Sequence, residues 1–207
     1  MKVDIITYMT GYNFFIYDRF LGTLFDTGFS GNVHIVSEKR DIEITKRVNK
    51  KYKNVTFHID KYNKPKWSNM RRYLSNKDIM SYLDCDFVLA CDGRDVLFQK
   101  NIENFDFKQD LYLAEEDIEI VKCKWNSRWL KDLEKQFKEN FYDNIKNNKI
   151  ICSGTTIGSL EMMKTYTDLM ISILNKYKNW DNFHKGTDQG IHNYLFYKGI
   201  ISEKIKN

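Results

Sequence analysis

The sequence is poor in proline, glycine and cysteine, with one, ten and four respectively among 207 residues. So little proline and glycine excludes a collagen-like or linker-type chain. No apolar run approaches the roughly 20 residues that a membrane-spanning helix needs. The chain is 42% hydrophobic and 29% charged, which excludes intrinsic disorder, because disordered chains are poor in apolar residues. We therefore expect a folded protein with no membrane span.

Cysteine and basic residues are too sparse to define a site by themselves. The cysteines show neither zinc-site spacing nor the density of a disulfide scaffold, which predicts a reduced, cytoplasmic location. The first apolar run is short and contains Asp4, so it predicts a strand and no signal peptide. A net charge of +5 predicts no nucleic-acid partner, but it suits a nucleotide or another small anion.

Short β-branched runs alternate with helix-like segments along the chain. Strands are predicted over 3–9, 32–36, 55–59, 87–90, 111–114 and 149–152. Helices are predicted over 12–28, 41–52, 67–83, 124–142, 159–177 and 188–197, and residues 153–159 as a turn of small residues. This alternation predicts an α/β fold with a mixed, mostly parallel sheet flanked by helices. No repeat or linker interrupts the pattern, so we expect a single domain over 1–207.

Polar residues follow the predicted strands at four places: 10–13, 92–95, 153–159 and the segment leading to Asp188. In open α/β sheets, ligands bind at the carboxyl ends of the strands. The most informative segment is 92–95, where Asp92, Arg94 and Asp95 follow a buried strand. Two carboxylates there suit a divalent cation that also takes phosphate oxygens. The alternative is a turn in which the aspartates bind backbone amides and pair with Arg94.

The segment FVLACDGRDVLF is similar to the Asp-x-Asp motif with which GT-A glycosyltransferases bind metal and nucleotide. More particularly, it resembles the Asp-x-Arg-Asp form found in small glycosyltransferases of large DNA viruses. Segments 67–80, 149–163 and 187–196 resemble, in the expected order, the family's arginine-bearing helix, its acceptor-side glycine loop and its Asp-Gln segment. Arg94 stands where the strict motif has its second Asp, so the metal-binding and ribose-binding carboxylates stay unassigned.

The resemblance implies a GT-A-like, Rossmann-like fold with a nucleotide-binding half over about 1–100 and an acceptor half over about 101–207. It implies transfer of a sugar from a UDP-sugar (UDP-glucose or a similar hexose) to a hydroxyl of a glycan or glycoconjugate. The cofactor would be Mn²⁺ or Mg²⁺, held by Asp92 and Asp95. A viral source would place the protein in the host cytoplasm or the virion.

The implied site residues are drawn from all four segments. The donor-binding set is Thr7, Tyr8, Thr10, Arg72, Asp92, Arg94 and Gly154. Asp188 would be the base or the positioning carboxylate, and Arg71 is the alternative to Arg72. His192 and Glu203 are the remaining candidates for a further metal ligand; water or the diphosphate would otherwise complete the shell.

Other interpretations of these segments stay open. Asp188 at a helix N-terminus could serve only as a cap. A non-catalytic nucleotide-sugar or glycan-binding domain would carry the same polar loops, and a purely structural module would use the aromatics. A phosphatase of the haloacid-dehalogenase type needs an acid/base Asp where this chain has Arg94, which cannot give up its proton. The aromatic segment 125–142 is either core and lid or a platform for an acceptor sugar, with the acidic run 115–117 nearby.

Overall fold

A computed structural model describes the backbone of residues 1–176 and 184–205 and, within these ranges, the side chains up to residue 202. Six strands form one sheet in the order β3-β2-β1-β4-β6-β5. The strands are β1 (Val3–Tyr8), β2 (Val33–Ser37), β3 (Val55–Ile59), β4 (Phe87–Asp92), β5 (Leu111–Glu119) and β6 (Lys149–Ser159). Strands β1 to β4 are parallel, and β6 runs antiparallel to both of its neighbours, β4 and β5. The predicted α/β class and mostly parallel sheet are confirmed.

Helices cover both faces of the sheet. They are α1 (Phe14–Asp26), α2 (Ile42–Lys51), α3 (Ser68–Met80), α4 (Lys124–Phe137), α5 (Tyr142–Ile145), α6 (Leu160–Lys176), α7 (Thr187–Tyr197) and α8 (Ile200–Ile205). Alternate residues of β1 serve the two faces: Ile5 belongs to the core cluster that contains Leu21 of α1, whereas Ile6 belongs to the cluster that contains Met70 of α3 and Met163 of α6. Strands buried on both faces explain the near-continuous apolar runs. Within the described ranges, no helix has both the length and the apolar content to cross a membrane.

Strand β6 differs from the sequence prediction. Residues 153–159, predicted as a turn, lie inside this 11-residue strand. Their small side chains instead allow close approach, since a Cβ on Gly158 would lie 2.6 Å from the carbonyl oxygen of Asp110. Because β6 pairs antiparallel with β4, with Cys91 opposite Thr155, Ser153 and Gly154 pass the carboxyl end of β4.

Helix boundaries differ as well. The predicted helix over 124–142 ends at Phe137, because Lys138 adopts a left-handed conformation with φ 54°, and α5 begins separately. Helix α7 begins at Thr187, with Gly186 at φ 95° as its N-cap. A side chain at Gly186 would collide with Trp129 of α4, whose ring lies 2.2 Å from the position of a Cβ. The predicted end of α6 at Tyr177 lies outside the described residues.

Candidate active site

The carboxyl end of β4 meets α3, β6 and the start of α7 at Arg72. The guanidinium donates from Nη1 to Asp92 Oδ1 at 2.6 Å and from Nη2 to Asp188 Oδ2 at 2.9 Å. Nη2 also donates to the carbonyl oxygen of Ser153 at 2.8 Å. Burial opposes the charge on Arg72, but the hydroxyl of Tyr73 and the two carboxylates raise its pKa well above the ordinary value. Three residues selected from distant parts of the sequence therefore lie in direct contact.

Asp188 is buried, with 3% of its surface exposed. Besides Arg72, its carboxylate accepts hydrogen bonds from the Asn69 side-chain amide and from Ser153 Oγ, the latter at 3.4 Å. Burial raises the pKa of Asp188, and the charge of Arg72 acts in the opposite direction. Sequence reasoning missed Asn69 and Ser153. Asn69 could have been found, because it lies three residues before Arg72 on the same helix face.

Two side-chain amides of α7 fix Asp188 relative to the sheet. Strand β4 ends at Asp92, so the residues of β6 that precede Thr155 have no β4 partner. Gln189 accepts from the Ser153 N–H at 2.7 Å and donates to the Ile151 carbonyl at 2.6 Å. Asn193 accepts from the Ile151 N–H and donates to the same carbonyl, both at 2.9 Å. The two amides, four residues apart on α7, replace the missing strand and hold this helix against β6.

The turn after β4 is exposed to solvent. The side chain of Asp92 is 58% exposed, and Asp95 and Arg94 are exposed and form an ion pair at 3.3 Å between Nε and Oδ1. The backbone carbonyl of Arg94 accepts a hydrogen bond from Arg19. In the part of the chain that the structure describes, no three His, Cys, Asp or Glu side chains are grouped to hold a metal. Exposed carboxylates such as Asp92 and Asp95 are the ligand type that a Mg²⁺-type cation takes together with phosphate and water, and a metal at this turn stays a prediction.

His192, a candidate for a further metal ligand, is fully buried beneath the site. Its Nδ1 lies 2.7 Å from the hydroxyl of Tyr166, and burial lowers its pKa to about 3. It is a neutral residue of the core, away from the exposed turn. The side chain of Glu203, the other candidate, lies outside the described residues.

Arg71 faces away from Arg72 and belongs to a separate network at the ends of β1 to β3. It bonds Asp60 at 2.8 Å and Glu38 at 2.9 Å, and it donates to the Tyr8 hydroxyl at 3.0 Å. Tyr8 in turn donates to Asp60 at 2.5 Å. Burial, followed by the hydrogen bond to Asp60, raises the pKa of Tyr8. Arg72 is therefore the arginine that meets Asp92 and Asp188.

The other candidates for donor binding lie around this centre at different depths. Thr10 donates to Asp41 at 2.7 Å. Thr7 is 2% exposed, has an unpartnered hydroxyl, and lines an internal cavity of about 20 Å³, room for one water molecule. A Cβ at Gly154 would lie 2.7 Å from Asp92 Oδ2, so this glycine makes space for the carboxylate. Their contact with a donor stays a prediction.

Comparison with solved structures identifies the fold. A galactosyltransferase, LgtC, in complex with donor and acceptor sugar analogues superposes with a TM-score of 0.60 over 93% of this chain and 70% of that chain, at 16% identity. An active-site mutant of LgtC gives 0.60 over the same shares at 15% identity. The fold is GT-A-like. Sequence comparison matches no protein-family model and no curated protein.

A second type of enzyme also has a similar fold. A 4-diphosphocytidyl-2C-methyl-D-erythritol synthase from Anaerococcus prevotii superposes with a TM-score of 0.56 over 94% of this chain and 82% of that chain, at 12% identity. At these identities the likeness establishes architecture, and activity must be argued from the site itself. The predicted GT-A-like fold is confirmed, and nothing in the comparisons bears on a viral source.

Proposed function

We propose that this protein transfers a sugar from a UDP-sugar to a hydroxyl of a glycan or glycoconjugate with the help of a divalent cation. The observation that carries the proposal is the contact of Arg72 with both Asp92 and Asp188 at the carboxyl end of β4. In a GT-A-like fold this is the edge of the sheet where a ligand binds. There the guanidinium of Arg72 lies between the exposed carboxylate of Asp92 and the buried carboxylate of Asp188.

These three residues and the neighbouring Asp95 take different roles in this proposal. Asp92 and Asp95 are the exposed carboxylates that would hold Mn²⁺ or Mg²⁺ together with the diphosphate. When bound, such a cation supplies Lewis-acid stabilisation of the charge on the departing diphosphate. Arg72 keeps Asp92 in place and adds positive charge beside it. Asp188 has both oxygens hydrogen-bonded within the protein, so we assign it to positioning Arg72 and the sugar.

A second reaction class is also found among the structural neighbours. One structural neighbour is a synthase whose product carries a diphosphocytidyl group, so nucleotidyl transfer is the competing candidate. The two reactions differ in their nucleotide substrate and in what leaves. A sugar transferase releases UDP from a UDP-sugar, whereas a nucleotidyl transferase releases pyrophosphate from CTP or UTP.

Thermal unfolding with a panel of nucleotides tests the proposal. We expect UDP, UDP-glucose or UDP-galactose with Mn²⁺ to raise Tm, by about 5–10 °C at 100 times Kd, and slow release of UDP from the sugar nucleotide. EDTA should abolish most of this shift. Equal UDP affinity in EDTA and in Mn²⁺ would refute the metal role. A shift with GDP-sugars alone would refute the choice of UDP, and pyrophosphate release from CTP or UTP would favour nucleotidyl transfer.

A further inference from the structure

Helix α4 carries an exposed aromatic side chain beside the start of α7. Trp125 in its first turn is 52% exposed. Its ring stacks on Trp129 one turn later, with centroids 6.4 Å apart and planes inclined by 26°. Trp129 fills the space over Gly186, the N-cap of α7. The tandem of indoles therefore reaches from solvent to the backbone two residues before Asp188.

Strand β5 carries an acidic run, Glu115 to Asp117, beside β6. Ala114 of β5 lies opposite Cys152 of β6, and Glu116 follows on the same face of β5 because side chains alternate along a strand. The charge of Glu116 acts in addition on Cys152 and on Cys123, just before α4. Cys152 is itself beside Gly154, where the Asp92 carboxylate sits. The flanking acids Glu115 and Asp117 turn instead to Lys149. Of this acidic run, Glu116 is the member on the side of the site.

We propose that Trp125 and Glu116 form a subsite for an oligosaccharide acceptor, with the indole stacked on one pyranose ring and the carboxylate accepting hydrogen bonds from its hydroxyls. This inference rests on the proposed sugar transfer. An exposed flat apolar ring beside an acceptor-only oxygen pair suits a sugar, whose ring has an apolar C–H face and a rim of hydroxyl donors.

The position of Trp125 sets which sugar of the acceptor it holds. Trp129 lies between Trp125 and the start of α7, so the exposed indole is set back from Asp188 by at least one indole ring. The sugar on Trp125 is therefore a neighbour of the one that receives the transferred residue. The acceptor class is a disaccharide or longer glycan, and a single sugar would not reach the platform.

The test compares Trp125→Ala with Phe15→Ala, a matched loss of an exposed aromatic (66% exposed) on α1, across the sheet. With the UDP-sugar that the protein uses, lactose and cellobiose are compared with methyl β-galactoside and methyl β-glucoside as acceptors. We expect Trp125→Ala to raise KM for the disaccharides about tenfold and for the methyl glycosides less than twofold. Trp125→Phe should restore most of the loss, Glu116→Gln should raise the disaccharide KM three- to tenfold, and Phe15→Ala should change neither KM.

An unchanged disaccharide KM in Trp125→Ala would overturn the subsite, and so would equal increases for disaccharides and methyl glycosides. Binding without donor separates this inference from the proposed function. Lactose or cellobiose should quench tryptophan fluorescence in the wild type and not in Trp125→Phe. Quenching without any turnover of a nucleotide sugar would refute the transfer and support the platform. Turnover with no quenching by either disaccharide would support the transfer and refute the platform.

Discussion

Replacing Asp188 by Asn removes one charge from the buried ion pair of Asp188 and Arg72, in which the Asp188 side chain is 4% exposed and the Arg72 side chain 11%. Breaking a buried ion pair by removing one partner costs about 3–5 kcal/mol. Arg72 keeps its bond to Asp92 at 2.6 Å, so we expect the lower end, about 3 kcal/mol. In a chain of 207 residues this corresponds to a fall in Tm of roughly 6–12 °C.

Urea unfolding and calorimetry measure this loss, and Asp168→Asn is the control. Asp168 pairs with Lys77 at 2.8 Å, but both side chains are more than half exposed, so that change should cost less than about 1 kcal/mol. At a temperature well below both transitions, Asp188→Asn should reduce sugar transfer by roughly 10²-fold or more, with a smaller change in UDP affinity. Stability within about 1 kcal/mol of the wild type would refute the buried pair, and normal turnover would remove Asp188 from the reaction.

Three further changes test other parts of the structure. Gly154→Ala places a Cβ 2.7 Å from Asp92 Oδ2; calorimetry should show UDP-sugar affinity with Mn²⁺ falling about tenfold, or 1.4 kcal/mol, while Tm stays near wild type, and unchanged affinity would contradict the role of Asp92. Burial lowers the pKa of His58 from 6.5 to about 4, so the stability that its neutral form contributes is present above pH 6.5 and is lost as the pH falls towards 4. Between pH 7 and 4.5, His58→Gln should therefore lose about 2 kcal/mol less unfolding free energy than the wild type, as measured in urea; equal losses would refute the shift. Tyr166→Phe removes the 2.7 Å contact with His192 and should cost about 2 kcal/mol by the same method, whereas a cost near zero would show that the imidazole finds another partner.

The sheet and its parallel half could be predicted because strands buried on both faces leave long apolar runs between helices. The second part of β6, residues 153–159, could not, because Ser153, Gly154 and Gly158 have the composition of a turn. Their small size serves contacts with β4 and β5, which are distant in the sequence. Small residues indicate that another part of the chain comes close to the backbone, but they do not show which part. The antiparallel direction of β6 follows from its pairing, which no local pattern contains.

The site was predictable in its charged members and less so in its neutral ones. Asp92 ends β4 and Asp188 lies in the first turn of α7, and a charged residue at such a position already indicates a ligand or an ion pair. Arg72, in the second turn of α3, was selected through the resemblance of its helix. The choice between Arg71 and Arg72 depended on which face of α3 is turned towards the site. The neighbouring polar residues Asn69 and Tyr73 would have favoured the face of Arg72. Gln189 and Asn193 carried no separate signal, because an amide on a helix resembles a solvent-exposed residue until the strand beside it is known.

The side-chain amide hydrogen bonds from α7 to Ile151 and Ser153 make the position of Asp188 independent of the length of the chain before it. The register of Asp188 is set by helix-to-strand hydrogen bonds, so it does not depend on the number of residues that precede Gly186. A change in the length of the chain before that glycine therefore leaves the buried carboxylate in its place. A scaffold of this kind can therefore keep its charged centre unchanged while the chain around it varies.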